Sequence, residues 1–196
     1  MRRGYDLVSR AYRGDDAAEG AYAEWLDLLE ARVPPPAKVL DLGCGCGVPV
    51  ARRLAPRYDV TGVDLSPVQI ERARVLVPTA TFVCADMAAL HFPDASFDAV
   101  VCLYAIIHLP LVEQPAFIRD LGRWLRPDGV LIATVGHGAW SGTEKDWLGV
   151  AGGDMWWDHA DATTYRRWLA DASLVLEDER FVPEGTGGHA FVMASR

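Results

Sequence analysis

Residues 39–47 read VLDLGCGCG, an apolar run that carries Asp41 and ends in three alternating glycines, Gly43, Gly45 and Gly47. Uninterrupted apolar runs are typical of strands in a parallel sheet that is covered on both faces. Glycine allows a close approach of the backbone to a ligand and permits backbone angles that other residues avoid. Because open α/β sheets bind ligands beyond the carboxyl ends of their strands, this segment predicts a ligand site after a buried strand.

Strand-like and helix-like segments alternate after this motif, and this alternation predicts a doubly wound, Rossmann-like α/β domain. The predicted strands cover residues 38–43, 58–65, 80–86, 97–106 and 129–136, and the helices after them cover residues 49–57, 66–77, 112–125 and 161–172. Residues 1–32 predict an amphipathic helical cap, and residues 173–185 and 188–196 predict a closing hairpin. Since no linker or internal repeat interrupts the pattern, we expect a single domain over residues 1–196.

The net charge and the apolar content of the chain argue against nucleic acids and membranes as partners. The chain has 196 residues and a formal net charge of -8, so the phosphates of a nucleic acid would be repelled and a small-molecule partner is favoured. No apolar run approaches the length of a membrane span, and the N-terminal segment does not resemble a signal peptide. We therefore expect a cytoplasmic protein without membrane contacts. The four cysteines lack metal-site spacing and are expected to pack as small apolar residues, so no metal is expected.

The spacing of the glycines indicates which ligand the motif binds. Dinucleotide-binding loops carry G-x-G-x-x-G, whereas this segment carries G-x-G-x-G, with Val48 in place of the third dinucleotide glycine. Asp41 precedes the first glycine by two residues, and a fixed carboxylate beside a pyrophosphate is electrostatically unfavourable. The same carboxylate suits a ligand with an amino group and a positively charged sulfur. These properties describe S-adenosylmethionine (SAM), which has no phosphate.

Two further acids lie at the carboxyl ends of the next two predicted strands. Asp64 ends the second strand, where a carboxylate can accept hydrogen bonds from ribose hydroxyls. Asp86 ends the third strand, where it can accept a hydrogen bond from the adenine amino group. Three carboxylates at the same end of three successive strands form a more specific pattern than any one of them. The alternatives are a tight glycine turn, a helix-capping role for Asp64 and a turn role for Asp86.

Together these segments resemble the class I SAM-dependent methyltransferases, in particular the small ones that act on small molecules. The resemblance is carried by VLDLGCGCG at 39–47, VTGVDLS at 60–66, VCADM at 83–87, FDAVVCLYAIIHL at 97–109 and LRPDGVLI at 125–132. It implies a seven-stranded, mostly parallel sheet with an antiparallel last strand. It also implies SAM as cofactor, S-adenosylhomocysteine as its product, and transfer of a methyl group to oxygen or nitrogen of a small molecule.

The resemblance assigns roles to individual residues. It implies that Asp41 and Gly43 face the methionine part of SAM, and that Gly45 and Gly47 shape the turn. The other implied contacts are Asp64 with the ribose, Leu65 against adenine, Asp86 with the adenine amino group, the Met87 amide with the ring, and the Leu103 carbonyl with the methionyl ammonium.

The N-terminal segment YDLVSRAY, residues 5–12, is similar to a Y-D-x-x-A-x-x-Y-like pattern whose helix closes over the cofactor. The resemblance implies that Tyr12 contacts the cofactor and that Tyr5 faces the site, where we expect it to border the substrate. The segment departs from the pattern at Ser9, which replaces an alanine, and at Arg13, which follows Tyr12.

Residues 137–160 are glycine-rich and hold four of the seven tryptophans, Trp140, Trp147, Trp156 and Trp157. Long connections without regular structure are usually functional, so we expect an aromatic lid over the methyl acceptor. The alternatives are core packing and a dimer contact, and either a monomer or a homodimer is expected. His159 is expected in the substrate pocket or as a cap of the following helix.

Two histidines are candidates for the catalytic base, which a hydroxyl or protonated amine acceptor would require. His108 follows the fourth strand and His137 follows the fifth, and packing or capping roles are the alternatives. His189 opens the last strand and could also turn toward the site. Three rival functions are a nicotinamide-dependent oxidoreductase, a non-catalytic binding module and a nucleic-acid methyltransferase.

Overall fold

The computed structural model of the chain describes residues 1–185 and 187–196. Its strands are β1 (Lys38–Leu42), β2 (Asp59–Asp64), β3 (Thr81–Cys84), β4 (Phe97–Cys102), β5 (Leu125–Gly136), β6 (Trp140–Glu144), β7 (Met155–His159), β8 (Val175–Glu184) and β9 (Gly187–Ser195). Its α-helices are α1 (Arg2–Tyr12), α2 (Tyr22–Arg32), α3 (Val50–Leu54), α4 (Pro67–Leu76), α5 (Gln114–Trp124) and α6 (Ala162–Asp171). Within these residues, no helix combines the length and the apolarity that crossing a membrane requires.

Seven strands form one sheet in the order β3-β2-β1-β4-β5-β9-β8. The strands β1 to β5 pair in parallel, whereas β9 runs antiparallel to both of its neighbours, β5 and β8. The expected fold class, a Rossmann-like and mostly parallel sheet with an antiparallel last strand, is therefore confirmed. The strand order reverses between β1 and β4, so the glycine motif after β1 lies at the switch point where sheets of this kind bind ligands.

Apolar side chains cover both faces of the sheet. On one face, Leu121 of α5 and Tyr165 of α6 belong to a buried cluster with β4 and β5. On the other face, Trp25 of α2 and Ile70 of α4 belong to a second buried cluster, and the Trp25 ring stacks on Phe191 of β9 with their centroids 5.0 Å apart. Burial on both faces explains why the strands read as continuous apolar runs.

Several segments differ from the expectation based on sequence. β4 ends at Cys102, four residues earlier than expected, and β5 begins at Leu125, also four residues earlier than expected. The segment 137–160 is not an irregular connection, because β6 and β7 pair as an antiparallel hairpin in which Trp140 faces His159. Its tryptophans and Thr143 are residues that favour strands. The third strand ends at Cys84, two residues earlier than expected, because Asp86 caps the short 3-10 turn that follows.

Candidate functional site

Two glycines of the turn after β1, Gly43 and Gly47, are required for different structural reasons. Gly43 has a φ of +72°, its amide donates to the Val63 carbonyl at 2.8 Å, and a side chain there would overlap Ala105 after β4. Gly47 has a φ of +76° and packs on Phe82 of β3. Gly43 therefore shapes the ligand side of the turn, and Gly47 supports it from the core side.

A cavity of about 100 Å³ opens beyond this turn, and we call it the inner cavity. Its lining includes every residue that the resemblance assigns to the cofactor except Asp41 and Gly47, namely Tyr12, Gly43, Gly45, Asp64, Leu65, Asp86, Met87 and Leu103. The carboxyl ends of β1 to β4 bring these residues to one edge of the sheet, except Tyr12, which comes from α1.

The two acids of the inner cavity are held differently. Both oxygens of Asp64 accept backbone hydrogen bonds, from the Gly45 amide at 2.9 Å and from the Ser66 amide at 2.8 Å. Burial nevertheless raises the pKa of Asp64, because desolvation outweighs these two bonds. Asp86 is exposed, and one of its oxygens accepts from the Ala88 amide at 3.0 Å. Asp64 is thus rigidly oriented, whereas Asp86 keeps a second oxygen available to a ligand.

Asp41 lies beside the inner cavity in a smaller cavity of about 40 Å³, which we call the Asp41 cavity. Its side chain is buried, with the residue 2% exposed, and Oδ2 has no hydrogen-bond partner among the described residues. Burial raises the pKa of Asp41 to about 8, and the nearby charge of Asp64 adds to the shift. Burying a carboxyl oxygen without a hydrogen-bond partner costs free energy. A ligand that brings a hydrogen-bond donor or a positive charge to Asp41 would therefore bind favourably.

Arg13 is a functional candidate that the sequence pattern did not indicate. It lines the Asp41 cavity together with Tyr22, and its guanidinium lies 4.9 Å from the centre of the Tyr22 ring. Its Nε is buried without a hydrogen-bond partner among the residues described. A carboxyl group and a guanidinium that border one small cavity fit the ammonium and carboxylate of an amino acid, which is the methionyl part of SAM. The only signal in the sequence is the position of Arg13 directly after Tyr12.

Hydrogen bonds tie α1 over the site and explain one departure from the N-terminal pattern. Ser9, which replaces the alanine, is buried and donates to Gln69 of α4 at 2.8 Å. Arg72 of α4 donates to the carbonyls of Ser9 at 2.8 Å and Arg13 at 2.7 Å, and it pairs with Asp15 at 2.6 Å. The serine thus gives the helix a polar attachment that an alanine could not provide.

Both ring nitrogens of His108 are occupied. Nδ1 lies 2.7 Å from the Trp156 carbonyl, which can only accept, so Nδ1 carries the proton. Nε2 lies 2.8 Å from the Tyr5 hydroxyl and therefore accepts from it. Burial lowers the pKa of His108 to about 4, so the ring is neutral near pH 7. His108 thus links α1 to β7 and is poorly placed to take a proton directly.

A third cavity of about 990 Å³ lies under the β6–β7 hairpin, and we call it the aromatic cavity. Its aromatic and histidine lining comprises Tyr5, Tyr12, Tyr22, Tyr104, His108, His137, Trp140, Trp147, Trp157, His159, Phe181 and His189. Four of these residues, Tyr5, Tyr12, Tyr104 and His108, also line the inner cavity. They form the boundary where the two cavities meet.

The remaining candidates take distinct positions around the aromatic cavity. His137 is exposed, and its ring lies 4.6 Å from that of Phe181. His159 is buried, and burial lowers its pKa. Trp156 is not part of the cavity lining and contributes its backbone carbonyl to His108. Trp147 lies against both Tyr5 and Tyr12, with centroids 6.3 and 5.4 Å away.

Known proteins share the sequence pattern and the fold described above. The sequence model of the family described as "Methyltransferase domain" matches residues 39–129. The chain is 43% identical over 119 residues to a 2-methyl-6-phytyl-1,4-hydroquinone methyltransferase of Synechocystis, covering 57% of this chain and 35% of that protein. It is 35% identical over 160 residues to a malonyl-[acyl-carrier protein] O-methyltransferase of Halorhodospira halophila, covering 72% of this chain and 52% of that protein.

A solved structure extends the similarity in fold to almost the whole chain. A 1,6-didemethyltoxoflavin-N1-methyltransferase of Burkholderia thailandensis, with its ligand and S-adenosylhomocysteine bound, superimposes with a TM-score of 0.73 at 22% identity. The alignment covers 99% of this chain and 87% of that one. The chain spans between about a third and a half of the two curated relatives. Residues 39–129 therefore match the methyltransferase domain family, and the chain as a whole shares the fold of a SAM-dependent methyltransferase of known structure.

Proposed function

We propose that this chain transfers a methyl group from SAM to a small-molecule acceptor by in-line displacement. The observation that carries the proposal is a pair of buried polar atoms at the Asp41 cavity, Asp41 Oδ2 and Arg13 Nε, neither of which has a hydrogen-bond partner within residues 1–185 and 187–196. This cavity shares Gly43, Gly45 and Leu103 with the inner cavity, so the two are adjoining parts of one site. A methionyl group in one part and a nucleoside in the other would satisfy the polar groups of both.

The proposed cofactor contacts follow from this division. Asp41 and the Leu103 carbonyl accept hydrogen bonds from the methionyl ammonium, and Arg13 binds the carboxylate. Asp64 binds the ribose, and Asp86 binds the adenine amino group. When bound, the cofactor supplies an electrophilic methyl carbon on a good leaving group. The protein then has mainly to orient the acceptor and exclude water, which is a large contribution to rate in reactions of this kind.

The aromatic cavity is the proposed acceptor site. Its volume of about 990 Å³ is at the upper end of the range of small-molecule sites, about 300–1,000 Å³. It meets the inner cavity at Tyr5 and His108, so an acceptor there can reach the methyl carbon. Its aromatic walls suit an acceptor that contains a ring. A relative whose name specifies a hydroquinone substrate supports the same class of acceptor.

Calorimetry with SAM and S-adenosylhomocysteine tests the cofactor assignment. We expect micromolar binding by the natural protein and a loss of about 10- to 100-fold in each of Asp64→Ala and Asp86→Ala, because each removes a hydrogen bond to a charged group. Asp171→Ala is the matched control, since this exposed aspartate lies at the far end of α6. Unchanged affinity in both site variants would count against the proposal.

Transfer of a labelled methyl group to a panel of ring-containing phenols, amines and thiols tests catalysis separately from binding. A protein that binds SAM and transfers no methyl group to any acceptor would fit the non-catalytic alternative. Binding of NADH, followed by its fluorescence, would favour the oxidoreductase alternative, which the carboxyl of Asp41 opposes. A cytoplasmic location and a monomeric or homodimeric state remain predictions.

A further inference from the structure

The β8–β9 hairpin brings a carboxylate to a histidine of the aromatic cavity. Nδ1 of His189 lies 3.1 Å from Oε2 of Glu184, and both residues line the cavity. We propose that Glu184 and His189 form the general base that removes a proton from the methyl acceptor. This inference rests on the proposed methyl transfer, and it specifies the acceptor as a ring-bearing hydroxyl or protonated amine.

The fold holds His189 at the end of the sheet that faces the site. His189 pairs with Gly136, the last residue of β5, and its side chain is 13% exposed. Its ring lies edge-on to that of Tyr104, with centroids 5.5 Å apart. Because Tyr104 borders both the inner and the aromatic cavity, His189 is one ring away from their boundary.

The contact between Glu184 and His189 is close but not fully aligned. Nδ1 and Oε2 are within hydrogen-bonding distance, but their angle falls short of a hydrogen bond, and Nδ1 has no other partner among the described residues. A small rotation of either side chain aligns the pair. Nε2 then points away from the carboxylate and is the nitrogen available to an acceptor. A carboxylate on Nδ1 fixes the tautomer and stabilises the imidazolium that forms, as in hydrolase triads.

The other histidines of the cavity lack this arrangement. His108 has both nitrogens occupied, and burial keeps it neutral. His159 is buried beside the Ala160 carbonyl, at 3.4 Å from Nδ1. His137 is exposed against Phe181. A histidine that takes a proton becomes a cation, and among the described residues only His189 lies within 4 Å of a carboxylate that can stabilise it.

The charges around His189 are consistent with a base. Glu184 faces it from the end of β8, and the close contact with His189 is the largest influence that lowers the pKa of Glu184, so the carboxylate stays ionised. The rings of Tyr104 and His159 lie next to it, with centroids 5.5 and 5.8 Å from that of His189. The charged lining of the same cavity is Arg13, Glu144 and Glu184, so no excess of positive charge opposes formation of an imidazolium.

The chemical step balances without an additional reactant. Nε2 of His189 takes the proton from the acceptor while the acceptor's lone pair bonds to the methyl carbon. The carbon–sulfur bond breaks at the same time, and its electron pair stays on sulfur. Glu184 remains a carboxylate throughout, and the imidazolium returns its proton to water after the product leaves. A thiolate or a neutral amine would not need this residue.

The pairing is tested by carboxyl NMR of the protein saturated with S-adenosylhomocysteine. In His189→Gln we expect the pKa of Glu184 to rise toward its usual range, because the largest influence that lowers it is removed. His137→Gln, in the same cavity but without a carboxylate contact, is the matched control and is expected to leave Glu184 unchanged. A Glu184 titration that does not respond to His189→Gln overturns the dyad.

Catalysis is tested with phenol and thiophenol as probe acceptors at pH 8, where thiophenol is ionised without a base and phenol is not. We expect His189→Gln and Glu184→Gln to lower methylation of phenol, by about 100-fold or more for His189→Gln, and to leave methylation of thiophenol unchanged. Equal losses with both probes, or no loss with phenol, overturn the inference. Calorimetry of S-adenosylhomocysteine binding by the same variants distinguishes failure of the proposed base from failure of the cofactor assignment. If the variants bind the ligand normally, the cofactor assignment stands and only the base is in question.

Discussion

Binding of the cofactor should release a proton from Asp41, and the amount should depend on pH in a defined way. The carboxyl is buried and has a pKa of about 8 in the ligand-free protein, so at pH 7 it is mostly protonated. A methyl donor that places its ammonium against Oδ2 favours the carboxylate. S-adenosylhomocysteine is the suitable ligand for this experiment, because it carries the same amino acid group as the methyl donor and does not react.

The size of the effect follows from the two protonation equilibria. A neighbouring opposite charge lowers a carboxyl pKa by about 1–3 units, which would bring Asp41 to about 5–7 in the complex. The maximum release is then about 0.5–0.9 proton per ligand, between about pH 6.5 and 7.5. Near pH 9 Asp41 is ionised before the ligand arrives, so its release falls toward zero. The affinity should increase by about 10- to 500-fold as the pH rises from 5 to 9.

The same shift makes a prediction for the ligand-free protein. The folded-state pKa of Asp41 is raised above the reference value of 3.8, so its contribution to stability is fully present below about pH 4 and is lost as the pH rises through about 8. The free energy of unfolding should therefore decrease less between pH 4 and pH 8 in Asp41→Asn than in the natural protein. Urea denaturation at pH 5 and pH 8 measures the difference.

Isothermal titration calorimetry in buffers with different ionisation enthalpies measures proton release directly. The slope of the observed enthalpy against buffer enthalpy gives the number of protons, and Asp41→Asn should abolish the release near pH 7. Asp86→Asn is the control, because it alters the same site without removing the buried carboxyl. Proton release that persists in Asp41→Asn would refute the reasoning, since another group, such as Asp64, would then be its source.

Three further substitutions test the framework of the site by denaturation and hydrogen exchange. Gly43→Ala should destabilise the fold by about 2–5 kcal/mol, because its positive φ and the overlap with Ala105 both oppose a side chain, whereas Gly14→Ala, which has open space around it, should be nearly neutral. Arg72→Met should cost about 1–3 kcal/mol and should accelerate amide exchange in α1, and an unchanged α1 would show that the helix is held elsewhere. Trp25→Ala should cost about 3–5 kcal/mol by removing the ring stacked on β9, and a cost below about 1 kcal/mol would contradict that packing.

Much of the inner cavity could be predicted because its residues follow local rules. Gly43, Asp64 and Asp86 each stand at or just beyond the carboxyl end of a recognisable apolar strand, and parallel strands bring those ends to one edge. The position of a residue along its strand was therefore sufficient to predict its neighbours across the sheet. Strand position could not predict the role of Arg13, which lies outside any strand and lines the same cavity as Asp41 after a helix that is hydrogen-bonded to α4.

The contacts of the histidines could not be predicted from their positions along the sequence. Sequence position suggested His108 and His137 as bases, because both follow strands that end at the site. In the structure, His108 is bound to Tyr5, 103 residues away along the chain, and to the carbonyl of Trp156 in β7. His189 meets Glu184 because β8 and β9 form a hairpin, and it reaches the aromatic cavity because β9 pairs with β5.

The sequence by itself determined the sheet, the glycine turn and the set of acids that a cationic nucleoside ligand requires. These features depend on apolar periodicity and on backbone angles, which are properties of short segments. Only the tertiary structure decided which polar groups are left without partners and which histidine has a carboxylate beside it. Protonation and hydrogen bonding depend on burial and on distances between residues far apart in the chain, and no short segment contains that information.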